Sequence, residues 1–317
     1  MFDLQPFIDG AIEKKINMDA VMVIQDDVIL GLHRFTDDIY HNVYSISKSF
    51  TGTAIAMAIE DGKMALTDRP YDYFRDLFDG SEDPRWQDVT LEHLITMTSG
   101  HGAAYMMAAD RQKLRGEVED SYPIAYQKEW LLYAFSCPMT YDPGTHFYYG
   151  NLAPYVAGRM LEQAVGMTTL DYLYERLWKP LGVKKPRWDA DPSGHTFPAS
   201  YLFMDIVDMA QIGQIYLNKG SYLGIRFVSE DWVEAATTSH IASSVINPAG
   251  YADDEKEGYG YYFWKNHGGS GYRAYGREGQ FVIVLPKKHA IIATQAMHHD
   301  VQAVLDLVWE HILPQIK

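Results

Sequence analysis

The sequence has a single cysteine, Cys137, so it cannot close an internal disulfide and offers no cysteine spacing of a metal site. Nothing in it calls for an oxidising compartment. No apolar run approaches the roughly twenty residues of a membrane span. The first fifteen residues read as a short amphipathic helix without the apolar core of a signal peptide. The cytoplasm is therefore the expected location. Basic residues are scarce: 27 Lys and Arg against 42 Asp and Glu leave a formal charge of -15, which repels nucleic-acid phosphates and anionic membrane surfaces. Fixed-period repeats, low-complexity tracts and long Pro/Gly/Ser linkers are absent as well. A second domain is thus expected as an insertion in the first.

What is present is ordinary for a folded chain: 317 residues, 47% hydrophobic and 22% charged, enough to bury a sizeable core. Ala20 to Ile24 and Val28 to Leu32, separated by Gln25-Asp-Asp27, predict a hairpin near the N-terminus. Four further strands are expected at the far end: Tyr259 to Trp264, Tyr272 to Tyr275, Gln280 to Leu285 and Ala290 to Gln295. Between these groups the period becomes helical. Phe50, Ala54, Met57 and Ala58 share one face of a helix ending at Gly62, and Thr90 caps a helix through Leu94. Helices are also expected over Asn151 to Val165, Leu170 to Leu177, Met204 to Asn218 and Val301 to Ile316. The expected fold class is α/β of the α+β type: an antiparallel sheet flanked by helices, built from residues 1–65 and 201–317, with a mostly helical insert over 66–200. Such a layout puts a cleft at the junction.

Three segments carry chemistry. In Ser45-Ile-Ser-Lys48, at the start of a helix, residues three apart share a face, so the amine lies beside the hydroxyl. A buried lysine with a depressed pKa can take the serine proton, and the helix N-terminus adds free N–H groups for an oxyanion. One such spacing arises about once by chance in a chain of this length, and alone it reads as a helix cap with a solvated lysine. In Tyr148-Tyr-Gly-Asn151, after the turn Asp142-Pro-Gly144, Tyr149 can relay a proton and Asn151 can hold a carbonyl or the lysine; packing and capping explain them equally well in isolation. Tyr272-Arg-Ala-Tyr-Gly-Arg-Glu-Gly-Gln280 is a glycine-punctuated strand along which a substrate can lie; otherwise it is a bulge or a plain hairpin.

In this order the segments resemble the class C β-lactamase and penicillin-binding-protein-like serine hydrolases, with family VIII carboxylesterases, D-stereospecific aminopeptidases and 6-aminohexanoate-dimer hydrolases among their relatives. Tyr44-Ser-Ile-Ser-Lys-Ser-Phe-Thr-Gly52 is similar to the nucleophile motif of these proteins, and the stretch Asp142 to Asn151 to the one carrying Tyr-x-Asn. Leu94-Ile-Thr-Met-Thr-Ser-Gly100 and Asp205 to Gly220 match further family segments. The resemblance implies a β-lactamase/transpeptidase-like fold, Ser45 as acylated nucleophile, Lys48 as its base, Tyr149 as general acid/base and Asn151 as a contact to substrate. It also implies an oxyanion hole from the N–H of Ser45 and of a residue near Arg277, with Tyr275, Gly276 and Arg277 along the substrate. No metal or organic cofactor is implied, and His298-His299-Asp300 reads as surface.

One departure stands out. Where β-lactamases carry Lys-Thr-Gly, this chain has Ala274-Tyr-Gly276, so no cation stands at the first position; Arg273 or Arg277 is the candidate replacement. The expected substrate is a small ester, amide or D-amino-acid peptide, with esterase or amidase activity ranked above D-aminopeptidase and both above β-lactamase. The alternative is a penicillin-binding sensor or scaffold with little or no turnover. Pocket shape is expected to depend on the insert, above all on Ala103 to Tyr122; no oligomeric state follows from these motifs.

Overall fold

The computed structural model describes residues 2–241 and 253–317. Among them, six strands form one antiparallel sheet: β1 (Met18–Gln25), β2 (Val28–Arg34), β3 (Trp264–Lys265), β4 (Tyr272–Gly276), β5 (Gln280–Leu285) and β6 (Ala290–Ala296). Their spatial order is β2-β1-β6-β5-β4-β3, so the two chain ends meet in the middle, with Val21 opposite Thr294 and Val23 opposite Ile292. The β1–β2 hairpin turns on Asp26 and Asp27, both left-handed (φ 50° and 61°), the twist that suits a two-residue loop.

Alternate strand residues serve opposite faces. Val21, Val23, Phe281, Ile283 and Ile292 cluster with Phe7 and Ala11 of the first helix (Gln5–Glu13) and with Val304, Val308 and Ile312 near the C-terminus. Met22, Val282, Val284, Ile291 and Ala293 join a larger cluster on the other face, with Met209 and Ile212 of the helix Ile206–Leu217. Covered on both sides, β5 and β6 are buried along their whole length, which explains why they read as continuous apolar runs. Each fully buried Val or Ile there contributes about 1.5–3 kcal/mol.

Several expected elements take a different form. The helix at the Ser45 motif spans Ile46–Glu60, but it has no apolar stripe: Ile46 through Ala58 are all buried, because it runs between β4 and the helix Leu152–Val165. Tyr259 to Trp264 is not one strand. Gly260 N–H donates to Phe263 O and Tyr262 is left-handed, so the chain turns there and only Trp264–Lys265 pairs with the sheet. Its aromatics serve packing instead: Phe263 meets Tyr216 at 4.4 Å and Tyr261 meets Trp232 at 5.3 Å between ring centres. The C-terminal helix is regular only over Val301–Leu307 before widening into a π-turn at Val308–Ile312, and Thr169–Leu173 likewise passes into one at Tyr174–Trp178. Thr90 does cap Leu91–Ile95, its side chain accepting from His93 N–H.

Two local contacts fix the surroundings of the Ser45 helix. His41–Asn42 pairs with Leu202–Met204, and Val43 N–H donates to Leu202 O at 2.8 Å, which brings Ser45 alongside residues 199–201. In the helix Leu152–Val165, a Cβ at Gly158 would stand 2.4 Å from Pro198 Cγ; glycine lets the 198–200 segment close on the two buried helices. None of the described helices is long and apolar enough to cross a membrane.

Candidate active site

Ser45 is the residue before the first turn of its helix, yet its side chain makes no cap bond. Lys48 is not solvated; it is 1% exposed. Its Nζ lies 2.9 Å from Ser45 Oγ, 2.8 Å from Asn151 Oδ1 and 2.8 Å from Ala199 O. Burial pushes the Lys48 pKa well below that of free lysine, and the positive charge of Arg111 pushes the same way. The Asn151 amide is oriented by its Nδ2, which donates to Met106 O at 3.2 Å, so Oδ1 faces the amine. Of the three oxygens around Nζ, the Ala199 carbonyl and Asn151 Oδ1 can only accept. The Ser45 hydroxyl is the one that can turn its proton toward the lone pair of a neutral amine.

Tyr149 faces the same place, with its ring centre 4.9 Å from Lys48 Nζ and packed at 5.4 Å against Trp264. Its loop is held by the Leu94–Gly100 segment: Tyr148 N–H donates to Met97 O at 2.8 Å and Gly144 N–H to Thr98 O at 2.7 Å. Asn151 N–H donates to Tyr105 O, tying the loop to the 103–122 stretch as well. Asn151 stands at the start of the helix Leu152–Val165 without a side-chain cap bond, its amide being committed to Lys48 and Met106.

These groups open on a cavity of about 190 Å3 whose wall includes Ser45, Tyr149, Asn151, Tyr275 and Arg277. Trp264, Tyr44 and Tyr201 add to its aromatic lining. Gly276 lies where β4 meets the start of the Ser45 helix: a Cβ there would stand 2.2 Å from Val43 O and 3.2 Å from Ser45 N. The strand end and the helix start are therefore in backbone contact, with Arg277 as the next residue. Two residues of the cavity wall are left-handed, Tyr44 (φ 45°) and Tyr201 (φ 64°), as is Glu278 (φ 66°) beside Arg277. Each such residue costs about 1–2 kcal/mol, and here the Tyr44 hydroxyl donates to Glu278 Oε2 at 3.1 Å across the gap.

A scan against family models matches residues 6–305 to the family described as Beta-lactamase. The chain belongs to the beta-lactamase family. It is 24% identical over 231 residues to the 6-aminohexanoate-dimer hydrolase of Paenarthrobacter ureafaciens, covering 68% of this chain and 56% of that one. It is 25% identical over 159 residues to the lovastatin esterase of Penicillium rubens, covering 46% of this chain and 39% of that one. The chain thus spans about half or less of the curated relatives it matches. Among solved structures, the octameric penicillin-binding protein homologue from Pyrococcus abyssi superposes with a TM-score of 0.73 at 21% identity, covering 96% of this chain and 75% of that one. This likeness agrees with the expected β-lactamase/transpeptidase-like fold, an antiparallel sheet flanked by helices.

Within this beta-lactamase family chain, the two arginines considered as replacement cations part ways. Arg273 is fully buried behind β4, with its guanidinium directed to Lys265 O and Asn266, and it does not line the cavity. Arg277 lines it with a side chain 66% exposed. A third arginine, Arg111 on the helix Ala108–Leu114, lies outside every sequence motif and lines the cavity too. No spacing marks it, because only the path of the 103–122 stretch brings it there. His298-His299-Asp300 does not line the cavity: His298 N–H donates to Glu278 O at 3.1 Å, and Asp300 caps the last helix by accepting from Ala303 N–H.

Proposed function

We propose that the protein is a serine hydrolase that forms an acyl-enzyme at Ser45 on a small ester, amide or D-amino-acid peptide. The observation that carries this is the Lys48 amine, buried and depressed in pKa, 2.9 Å from Ser45 Oγ with both its other partners restricted to accepting. Neutral Lys48 takes the Ser45 proton as Oγ attacks the substrate carbonyl, a general-base role worth about 10²–10⁴ in rate. The resulting oxyanion is held by the N–H groups of Ser45 and Arg277, each donor worth about 10²–10³. Collapse breaks the bond to the leaving group, which takes the proton from Lys48 through the Tyr149 hydroxyl. Water then attacks the Ser45 ester, losing its proton to the same base and restoring the serine. Asn151 orients Lys48 and contacts substrate, while Tyr275 and Gly276 flank the bound acyl group.

Among substrates, esters and simple amides rank above D-amino-acid peptides, and all of these above β-lactams, because Ala274 replaces the strand lysine of β-lactamases. The names of the relatives, an amide hydrolase and an esterase, support that order. The test is intact-mass analysis after exposure to a fluorophosphonate, with peptide mapping. Wild type is expected to gain one adduct at Ser45 and Ser45→Ala none. A folded wild type that stays unlabelled would sink the hydrolase reading and leave the non-catalytic penicillin-binding one.

A further inference from the structure

Arg111 is 6% exposed and sits in the wall of the Ser45 cavity. Its guanidinium carbon lies 3.9 Å from the Tyr201 ring centre and 4.7 Å from that of Phe197. Tyr201, and at longer range Asp189, favour its charge, but ring stacking does not satisfy a guanidinium's in-plane donors. Nε is buried and has no hydrogen-bond partner, and among the described residues no carboxylate comes within 4.0 Å of Arg111. Arginine keeps its charge in proteins, and a buried cation without an anion is costly. That is unusual in a chain with 42 acidic residues, and it contrasts with the other deeply buried arginine of the insert, Arg159, which is paired with Glu129 at 2.8 Å.

We infer that Arg111 is the recognition site for a carboxylate on the substrate, so that the cavity selects esters or amides bearing a free carboxylate near the scissile bond. The inference rests on the hydrolase reading above and names its substrate class. It also gives the arginine two connected effects. Its charge favours the neutral form of Lys48 in the free protein, and a bound carboxylate supplies the missing counter-ion without occupying the Ser45–Lys48–Asn151 contacts. Tyr201, left-handed and stacked on the guanidinium, fixes the direction from which the carboxylate enters.

The experiment uses the full chain and three esters that release a nitrophenolate: 4-nitrophenyl butyrate, mono-4-nitrophenyl glutarate with the carboxylate on the acyl side, its spontaneous rate subtracted, and 5-butyryloxy-2-nitrobenzoate with the carboxylate on the leaving group. Rates are normalised to sites titrated by fluorophosphonate. In wild type, one of the two anionic esters should exceed the neutral one in kcat/KM by about tenfold or more, the side identifying where the carboxylate lies. In Arg111→Gln that selectivity ratio should fall by about ten- to hundredfold, the range for loss of a charge-assisted contact, and Arg111→Lys should restore part of it. A purely structural arginine would lower all three rates together and leave the ratio unchanged. An unchanged ratio in Arg111→Gln, or no anionic preference in a wild type that labels at Ser45, overturns the carboxylate site while the hydrolase reading stands. Failure of labelling itself overturns the hydrolase reading.

Discussion

Gly276→Ala tests the site's backbone geometry without touching a titratable group. The added Cβ would stand 2.2 Å from Val43 O, whereas carbon to carbonyl oxygen contacts settle at about 3.3–3.6 Å, so the two backbones must separate by roughly 1 Å. Neither side yields freely. Gly276 is held in register with Gln280 and its neighbour Tyr275 with Phe281, while Val43 is bonded to Leu202 O. The separation opens between Ser45 N–H and Arg277 N–H, and a hydrogen bond lengthened by about 1 Å is lost. The expected cost is that of one oxyanion donor, about 10²–10³ in acylation rate, or roughly 2.7–4 kcal/mol. Overpacking adds about 1–3 kcal/mol of lost stability. The assay is the second-order rate of adduct formation at Ser45 by time-resolved intact mass, with a thermal melt to establish that the variant is folded. Labelling within threefold of wild type by a folded Gly276→Ala would refute the proposed oxyanion geometry.

Two further outcomes rest on the shifted ionisations. In the mechanism proposed above Ser45 needs neutral Lys48, so labelling should rise with pH through a midpoint below the free-lysine value of 10.5, and a midpoint at that value in a pH series would remove Lys48 as the base. Burial lowers the His101 pKa from 6.5 to about 4, so between those values the unfolded chain binds a proton that the folded chain refuses. Stability present above pH 6.5 is thus lost as the pH falls toward 4, by about 3 kcal/mol for this group. Urea unfolding at pH 7 and 4.5 should show His101→Phe losing clearly less than wild type over that interval; equal losses would count against a neutral buried His101.

The sequence by itself determined what depends on near neighbours. The Asp26-Asp27 hairpin, the Thr90 cap and the contact of Ser45 with Lys48, one helical turn apart, all come from local backbone geometry. The order of motifs along the chain was likewise enough to identify the family. Tertiary structure decided what surrounds those residues. Asn151 and Ala199, 103 and 151 residues from Lys48, supply the contacts that hold its amine, and only the packing of two helices and the 198–200 segment removes water from it. Arg273 and Arg111 make the same point in opposite directions. Arg273 sits on the motif strand but turns into the interior, whereas Arg111, outside every motif, reaches the cavity. The physical reason is that desolvation and electrostatic environment belong to the surroundings of a side chain, which the fold assembles from distant parts of the chain.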